Sequence, residues 1–442
     1  MRTLVRNGTV YLEDRTTVTD VLVDNGLFAD IGKIDYAIDG CEVIDATGLH
    51  VLPGLIDIHT HLDDTIGKYR LADTWASGSE IALRNGITTL CGFITQRPGA
   101  SLAAAVDAAL SMADGHSHCD YAFHLTPVSF EKGDWAYVER LLSDGFRTFK
   151  LYTTYREAGL FLDYRNLRGA MERIREMGMP VLVHCEDDAL LSRAKALTAG
   201  TVTPYGHALS RPMEAEIEAV KRVMEIAVKT KCRTHVVHVS TAEGARLIAQ
   251  ARPDLAVTCE TCPQYLFLNE DKYKETDGHS YICSPPLRSE KNRAEMWKLT
   301  HEETFDAYVT DHCAFSKSDK DADRSDYSKV PKGLPGIGAL VPLMHELHNE
   351  PAVLARRLAL NPAKIAGLYP RKGSIRKGAD ADLVIMGTQG AEREIRTSLS
   401  VVYEPYQGKT TGLEVRRVLL RGETIVEDGL LIEGKRFAGK RA

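Results

Sequence analysis

Apolar residues recur along this chain in two rhythms, and the change from one to the other divides it. Through the middle, short apolar runs at residues 55–61, 87–93, 121–125, 146–152, 180–185, 234–239, 255–259 and 305–310 predict eight strands. Between them, residues 102–113, 135–143, 167–177 and 214–229 carry apolar positions at helical spacing. Gly86, Gly115, Gly145 and Gly178 each follow a helical run, where a left-handed cap is expected. Ser240 and Glu243 have capping-box spacing ahead of the helix after the sixth strand. Eight strands joined by helical crossovers fit an α/β (β/α)8 TIM barrel better than an open sheet.

The two ends read differently. Residues 3–5, 10–12, 21–23, 29–31 and 43–45 are strand-like, with turn signals at Asn7-Gly8 and Asp24-Asn25-Gly26. Residues 381–386, 415–420 and 424–426 are strand-like again, with Arg421-Gly422 as a hairpin turn. The economical inference is a small β-sandwich domain assembled from residues 1–52 and 373–442, flanking a catalytic barrel at 53–372.

Composition excludes several classes. The 442 residues are 44% hydrophobic and 26% charged, as in ordinary globular proteins. A net charge of -6 gives no electrostatic case for nucleic acid or an anionic membrane surface. The N-terminal stretch lacks a signal peptide's apolar core, and no run is long enough to span a bilayer, so a cytoplasmic protein is expected. Nine scattered cysteines fit reduced thiols. Cys259 and Cys262 are one close pair, with no second pair to complete a zinc site.

In such barrels catalytic side chains come from the C-terminal ends of different strands. The stretch VLPGLIDIHTHLDD, residues 51–64, reads as a buried strand ending in His59 and His61, two apart and on one face, with Asp57 before them. Lys150 lies near the end of the fourth strand, His184 ends the fifth, His238 ends the sixth and Asp311 follows the eighth. Any one of these residues alone reads as a packed side chain or a cap. Six together at one barrel face do not. A protonated lysine repels a divalent cation, whereas carbamylation by carbon dioxide turns Lys150 into an anionic ligand able to bridge two. His59, His61 and Asp311 would then hold one metal, and His184 and His238 the other. Nitrogen-rich ligands with carboxylate oxygens suit Zn²⁺, with Mn²⁺, Co²⁺ and Fe²⁺ open. A hydroxide bridging the pair would be the nucleophile.

These residues sit in PGLIDIHTHLD, FKLYTTY, VHCE and HVVHVST, accompanied by GHALSRP, ETCPQYL, SPPLR, TDHC, GLPGI and a late NPAKIAGLYPRKGSIRKGADADLVI. Over nearly its whole length the chain resembles the amidohydrolase superfamily, and within it the hydantoinase/dihydropyrimidinase branch of cyclic amidases. The resemblance implies a barrel with a β-sandwich from both chain ends, a binuclear metal centre bridged by carboxylated Lys150, and generally a tetramer. The basic tail GKRFAGKRA bears on that last point. The resemblance also implies that Tyr155 donates a hydrogen bond to the oxyanion. Ser284 and Lys332 would hold the cyclic diamide through their backbones, Lys332-Gly333 standing where the family has Asn-Gly.

The expected reaction is hydrolysis of a C–N bond in a 5-substituted hydantoin or a dihydropyrimidine, giving an N-carbamoyl amino acid, with Asp311 moving the proton. An allantoinase-like cyclic ureide or imide hydrolase is the alternative, and a non-catalytic scaffold relative the remote one. Asp63-Asp64 after His61-Leu62 argues against dihydroorotate. Leu160, Phe161 and Leu162 could wall an apolar pocket for a ring substituent. The loop at 65–75 and the stretch at 338–345 depart from the family pattern.

Overall fold

Gly54 splits the run at residues 51–64 between two sheets. The computed structural model describes residues 2–35, 40–130, 132–435 and 437–442. His50–Pro53 belongs to the sheet of the chain ends, and Leu55–Asp57 opens the barrel. A Cβ at Gly54 would run into Thr88 and Asp382, and the Gly54 amide donates to the Asp382 carbonyl at 2.8 Å. Only glycine allows that approach.

From Leu55–Asp57 the barrel proceeds through Ile87–Thr95, Asp120–Thr126, Phe149–Tyr152, Val181–His184, Thr234–Val236, Val257–Thr261 and Ala307–Tyr308, every neighbouring pair parallel. Near-continuous burial of these strands is what a sheet covered on both faces demands. The ring closes at its C-terminal end, where His312–Cys313 pairs in parallel with Thr60–His61. Below that seam the Thr310 hydroxyl donates to the Asp57 carboxylate at 2.5 Å. Asp57, two residues before His59, thereby ties strand one to strand eight. Burial, partly offset by Thr310 and the His59 amide, pushes its carboxyl up to about 7.

The chain ends meet in one nine-stranded sheet. His50–Pro53 lies antiparallel to Leu383–Gly387 and parallel to Arg2–Tyr11. Its inward residues, among them Val5, Val21, Phe28, Val51 and Leu383, form a core of their own. Asn7-Gly8, expected as a turn, is a bulge within the single strand Arg2–Tyr11. Asp20 captures the Asn7 amide at 3.0 Å and holds Asn7 at a φ of 60°. The two expected hairpins at Asn25-Gly26 and Arg421-Gly422 form, all four residues having positive φ.

Helices Leu102–Ala113, Tyr164–Glu176 and Met213–Thr230 lie where the periodicity placed them, and Gly86, Gly115, Gly145 and Gly178 adopt positive φ. The helix Ala242–Ala251 is capped by Thr241, not Ser240. Ser240 donates its hydroxyl to buried Glu216 and accepts from Arg288, while the Thr241 hydroxyl accepts from the Gly244 amide as the cap. Residues 338–345, expected as a divergent loop, lie in the largely buried helix Ile337–His348.

Barrel and end sheet are joined by buried charge. Lys372 Nζ lies 2.6 Å from Asp120 and Asp382 and 3.1 Å from Asp380. The basic tail folds back here, the Lys440 amide donating to Asp120 at 2.8 Å and Arg441 bridging Tyr121 on strand three. All nine cysteines are free thiols. Among the described residues no helix is long and apolar enough to cross a membrane.

Candidate active site

At the C-terminal mouth of the barrel, the ends of strands one, four, five, six and eight bring His59, His61, Lys150, His184, His238 and Asp311 to one cavity of about 710 Å³. Tyr155, Ser284 and Lys332 line the same cavity. Three of these residues, Tyr155, His238 and Asp311, hold positive φ just past their strands, at 68°, 37° and 50°. That backbone is costly for a residue with a Cβ, and all three side chains line the cavity.

The imidazole protons are fixed from behind. His59 donates from Nδ1 to Glu260 at 2.5 Å, so its Nε2 presents a lone pair, and that lone pair faces Asp311 Oδ1 at 3.2 Å. His61 Nε2 lies 3.5 Å from the same oxygen. Ligand atoms of His59, His61 and Asp311 all fall within 4.8 Å of one another. His184 donates from Nε2 to Glu186 at 2.8 Å, which leaves its Nδ1 lone pair facing His238 Nε2 at 2.9 Å. Burial, followed by neighbouring positive or protonatable groups, pushes His59 and His238 well below the ordinary imidazole value, and His184 is lowered too. Neutral imidazoles whose ring nitrogens converge on each other and on a carboxylate are a donor set suited to a cation.

Lys150 completes the arrangement. Its side chain is 1% exposed. Its Nζ sits over the rings of Phe93 and Tyr152, at 5.2 and 5.1 Å, with no hydrogen-bonding or carboxylate partner among the described residues. Burial pushes the ammonium down to about 8, against the opposing pull of Glu260 and Asp311. A lysine so placed spends an appreciable fraction of its time as a free amine, the form that adds to carbon dioxide.

Arg211 supports the other side. It donates to both oxygens of Glu186 and lies 3.4 Å from the Tyr155 hydroxyl. Burial raises the Glu186 carboxyl, but Arg211 and His184 outweigh it and hold the group well below the usual range. Burial pushes the Tyr155 phenol up, so it remains a hydrogen-bond donor. Beside it, the Ser284 hydroxyl is buried without a regular hydrogen bond.

The chain matches the model of the amidohydrolase family over residues 50–425. It belongs to the amidohydrolase family. Within that family it is 34% identical to a D-hydantoinase of Streptomyces coelicolor, over 97% of this chain and 95% of that one. It is 32% identical, with the same coverage, to a D-phenylhydantoinase of Escherichia coli. A crystal structure of a dihydropyrimidinase from Brevibacillus agri superposes with a TM-score of 0.94 at 33% identity, covering 100% of this chain and 98% of that one.

Glu186, Arg211 and Glu260 were not singled out in the sequence, although VHCE, GHALSRP and ETCPQYL contain them. Their signal is a carboxylate two residues past a site histidine, and a glutamate at the end of a barrel strand. Of the proposed apolar wall, Leu160 lines the cavity. Phe161 stacks under Arg156 at 3.8 Å, and Leu162 packs on the core. The loop at 65–75 contributes residues 65–69 to the cavity wall, in part as a small hairpin, Thr65–Ile66 with Tyr69–Arg70.

Proposed function

We propose that this protein opens a cyclic amide, a 5-substituted hydantoin or a dihydropyrimidine, by hydrolysing its C–N bond to an N-carbamoyl amino acid, with two divalent cations at the barrel mouth. The observation that carries the reading is the convergence of ring nitrogens from His59, His184 and His238 and of the Asp311 carboxylate around a buried, unpaired Lys150.

The donor set fits the metals. His59, His61 and Asp311 would hold one and His184 and His238 the other, with carboxylated Lys150 shared between them. Nitrogen and carboxylate donors favour Zn²⁺. When bound, such cations lower the pKa of water and polarise a carbonyl. Asp311 takes the proton of the attacking water on its carboxylate and delivers it to the leaving ring nitrogen. Tyr155 donates its hydroxyl to the carbonyl oxygen as negative charge develops there, its own oxygen steadied by Arg211. The backbones at Ser284 and Lys332 orient the ring. Water adds across the C–N bond: one of its hydrogens makes the new N–H, and its oxygen with the other hydrogen completes a carboxylic acid, which releases that proton to solvent to become the carboxylate.

The experiment is metal analysis with intact-protein mass of the active enzyme. Two equivalents of metal and an added mass of one carbon dioxide, lost in Lys150→Ala, are expected. Active enzyme holding well under two equivalents, or an unmodified lysine, would sink the reading. Assembly into a tetramer is the accompanying expectation, which sedimentation would test.

A further inference from the structure

The cavity changes character from floor to rim. At the floor the ligand residues are buried, His59, Lys150, His184 and His238 being exposed by 4% or less. At the rim stand four cationic side chains, Lys68, Arg97, Lys329 and Lys332, against one carboxylate, Asp64. Three of the four have acidic partners. Lys68 meets Asp323 at 2.9 Å, Lys329 meets Asp326 at 3.1 Å, and Arg97 reaches Asp64 only at 3.8 Å.

Lys332 differs from the others. It is half-buried, and among the described residues it has no carboxylate within ion-pair distance. Its Nζ donates to the Ser328 and Val330 carbonyls at 2.9 and 3.1 Å. An ammonium carries three N–H groups, so one is left for a ligand. Burial, with Arg211 and Lys195 adding like charge against the weaker pull of Asp326 and Glu157, pushes it down to about 8. A cation kept in such a place is relieved by an arriving anion. The apolar residues Ile66, Pro98, Leu160 and Val330 line the same cavity.

We infer that the ring substituent this site prefers is a short apolar stem ending in a carboxylate, received by the remaining N–H of the Lys332 ammonium. The inference rests on the cyclic-amidase reading and narrows its substrate class. A neutral aromatic substituent would fill the apolar wall but leave the Lys332 ammonium unanswered, whereas an anion satisfies both.

The test compares three hydantoins on the metal-loaded enzyme, one bearing a carboxyethyl group, one its neutral carbamoylethyl isostere and one a phenyl group. A kcat/KM for the carboxylate about tenfold or more above its isostere is expected, shrinking as salt is raised. Lys332→Gln should abolish most of that ratio, and Arg97→Gln, on an exposed loop, should reduce it. Equal or inverted preference between carboxylate and isostere, a faster phenyl substrate, or a ratio untouched by Lys332→Gln would each overturn the inference alone. If none of the three rings opens, and neither does unsubstituted hydantoin nor dihydrouracil, the hydrolase reading itself falls and the inference with it.

Discussion

The Nδ1 of His59 and the Oε1 of Glu260, 201 positions apart in the chain, stand 2.5 Å from each other in the barrel interior. The second oxygen of Glu260 takes His235 at 2.9 Å, so one carboxylate braces two strands and decides which nitrogen of His59 faces the cavity. Glu260→Gln keeps the volume but turns an N–H toward one of those donors. Metal affinity is expected to fall about 10- to 100-fold, read by competition with a chelator. Unchanged affinity would mean that the His59 tautomer is set by something else.

Tyr155→Phe removes a single hydroxyl from the cavity. If that hydroxyl meets charge only as it develops, kcat drops by roughly 10²–10³ while KM moves little. A rise in KM with kcat intact would instead make Tyr155 a ground-state contact.

Lys320 is fully buried and links the two substrate loops, donating to the carbonyls of Ile282 and Pro331 at 2.8 Å each. Burial pushes its ammonium down to about 7 from an ordinary 10.5. Between those values the unfolded chain holds a proton that the folded one lacks, so stability rises with pH across that window. Below it both states are protonated and the cost of the buried charge is present in full. The neutral amine still has two hydrogens for its two carbonyls. Lys320→Met has no proton to release, so the parent should gain on the variant by a few kcal/mol (order of magnitude) between about pH 7 and 10. Urea unfolding at several pH values measures this, and parallel curves for the two proteins would refute it.

Lys372 neutralises three carboxylates at the barrel–sheet junction. Lys372→Met leaves them facing one another with Arg421, on Asp120, and Arg371, on Asp380, as the remaining cations. A loss of about 3–5 kcal/mol is expected in denaturant unfolding, since stranding buried charge costs far more than losing a surface pair. A loss below about 1 kcal/mol would show that water reaches the cluster.

The barrel's site was legible because five of its strands, one, four, five, six and eight, end where apolar residues give way to His, Lys or Asp, and strand ends are where a barrel gathers chemistry. The supports behind that ring were not. Nothing local announces that Glu260 serves His59 or that Arg211 grips Glu186, because those pairings are made across strands. Competition for hydrogen bonds explains the smaller misses. Asp20 turned an apparent Asn7-Gly8 turn into a bulge, and Glu216 drew Ser240 away from its cap. Gly54 was hidden within an unbroken apolar run, since hydrophobicity does not record which of two sheets a residue joins.

The pairing of His50–Pro53 with Leu383–Gly387 has a consequence for biosynthesis. As the chain leaves the ribosome, that early strand has one side open until nearly the whole polypeptide has been made. Its unpaired edge is a template for a wrong neighbour throughout that interval. Truncated products lacking the last strands should therefore clump rather than accumulate as soluble half-proteins, and slowing translation before residue 383 should lower the yield of active enzyme.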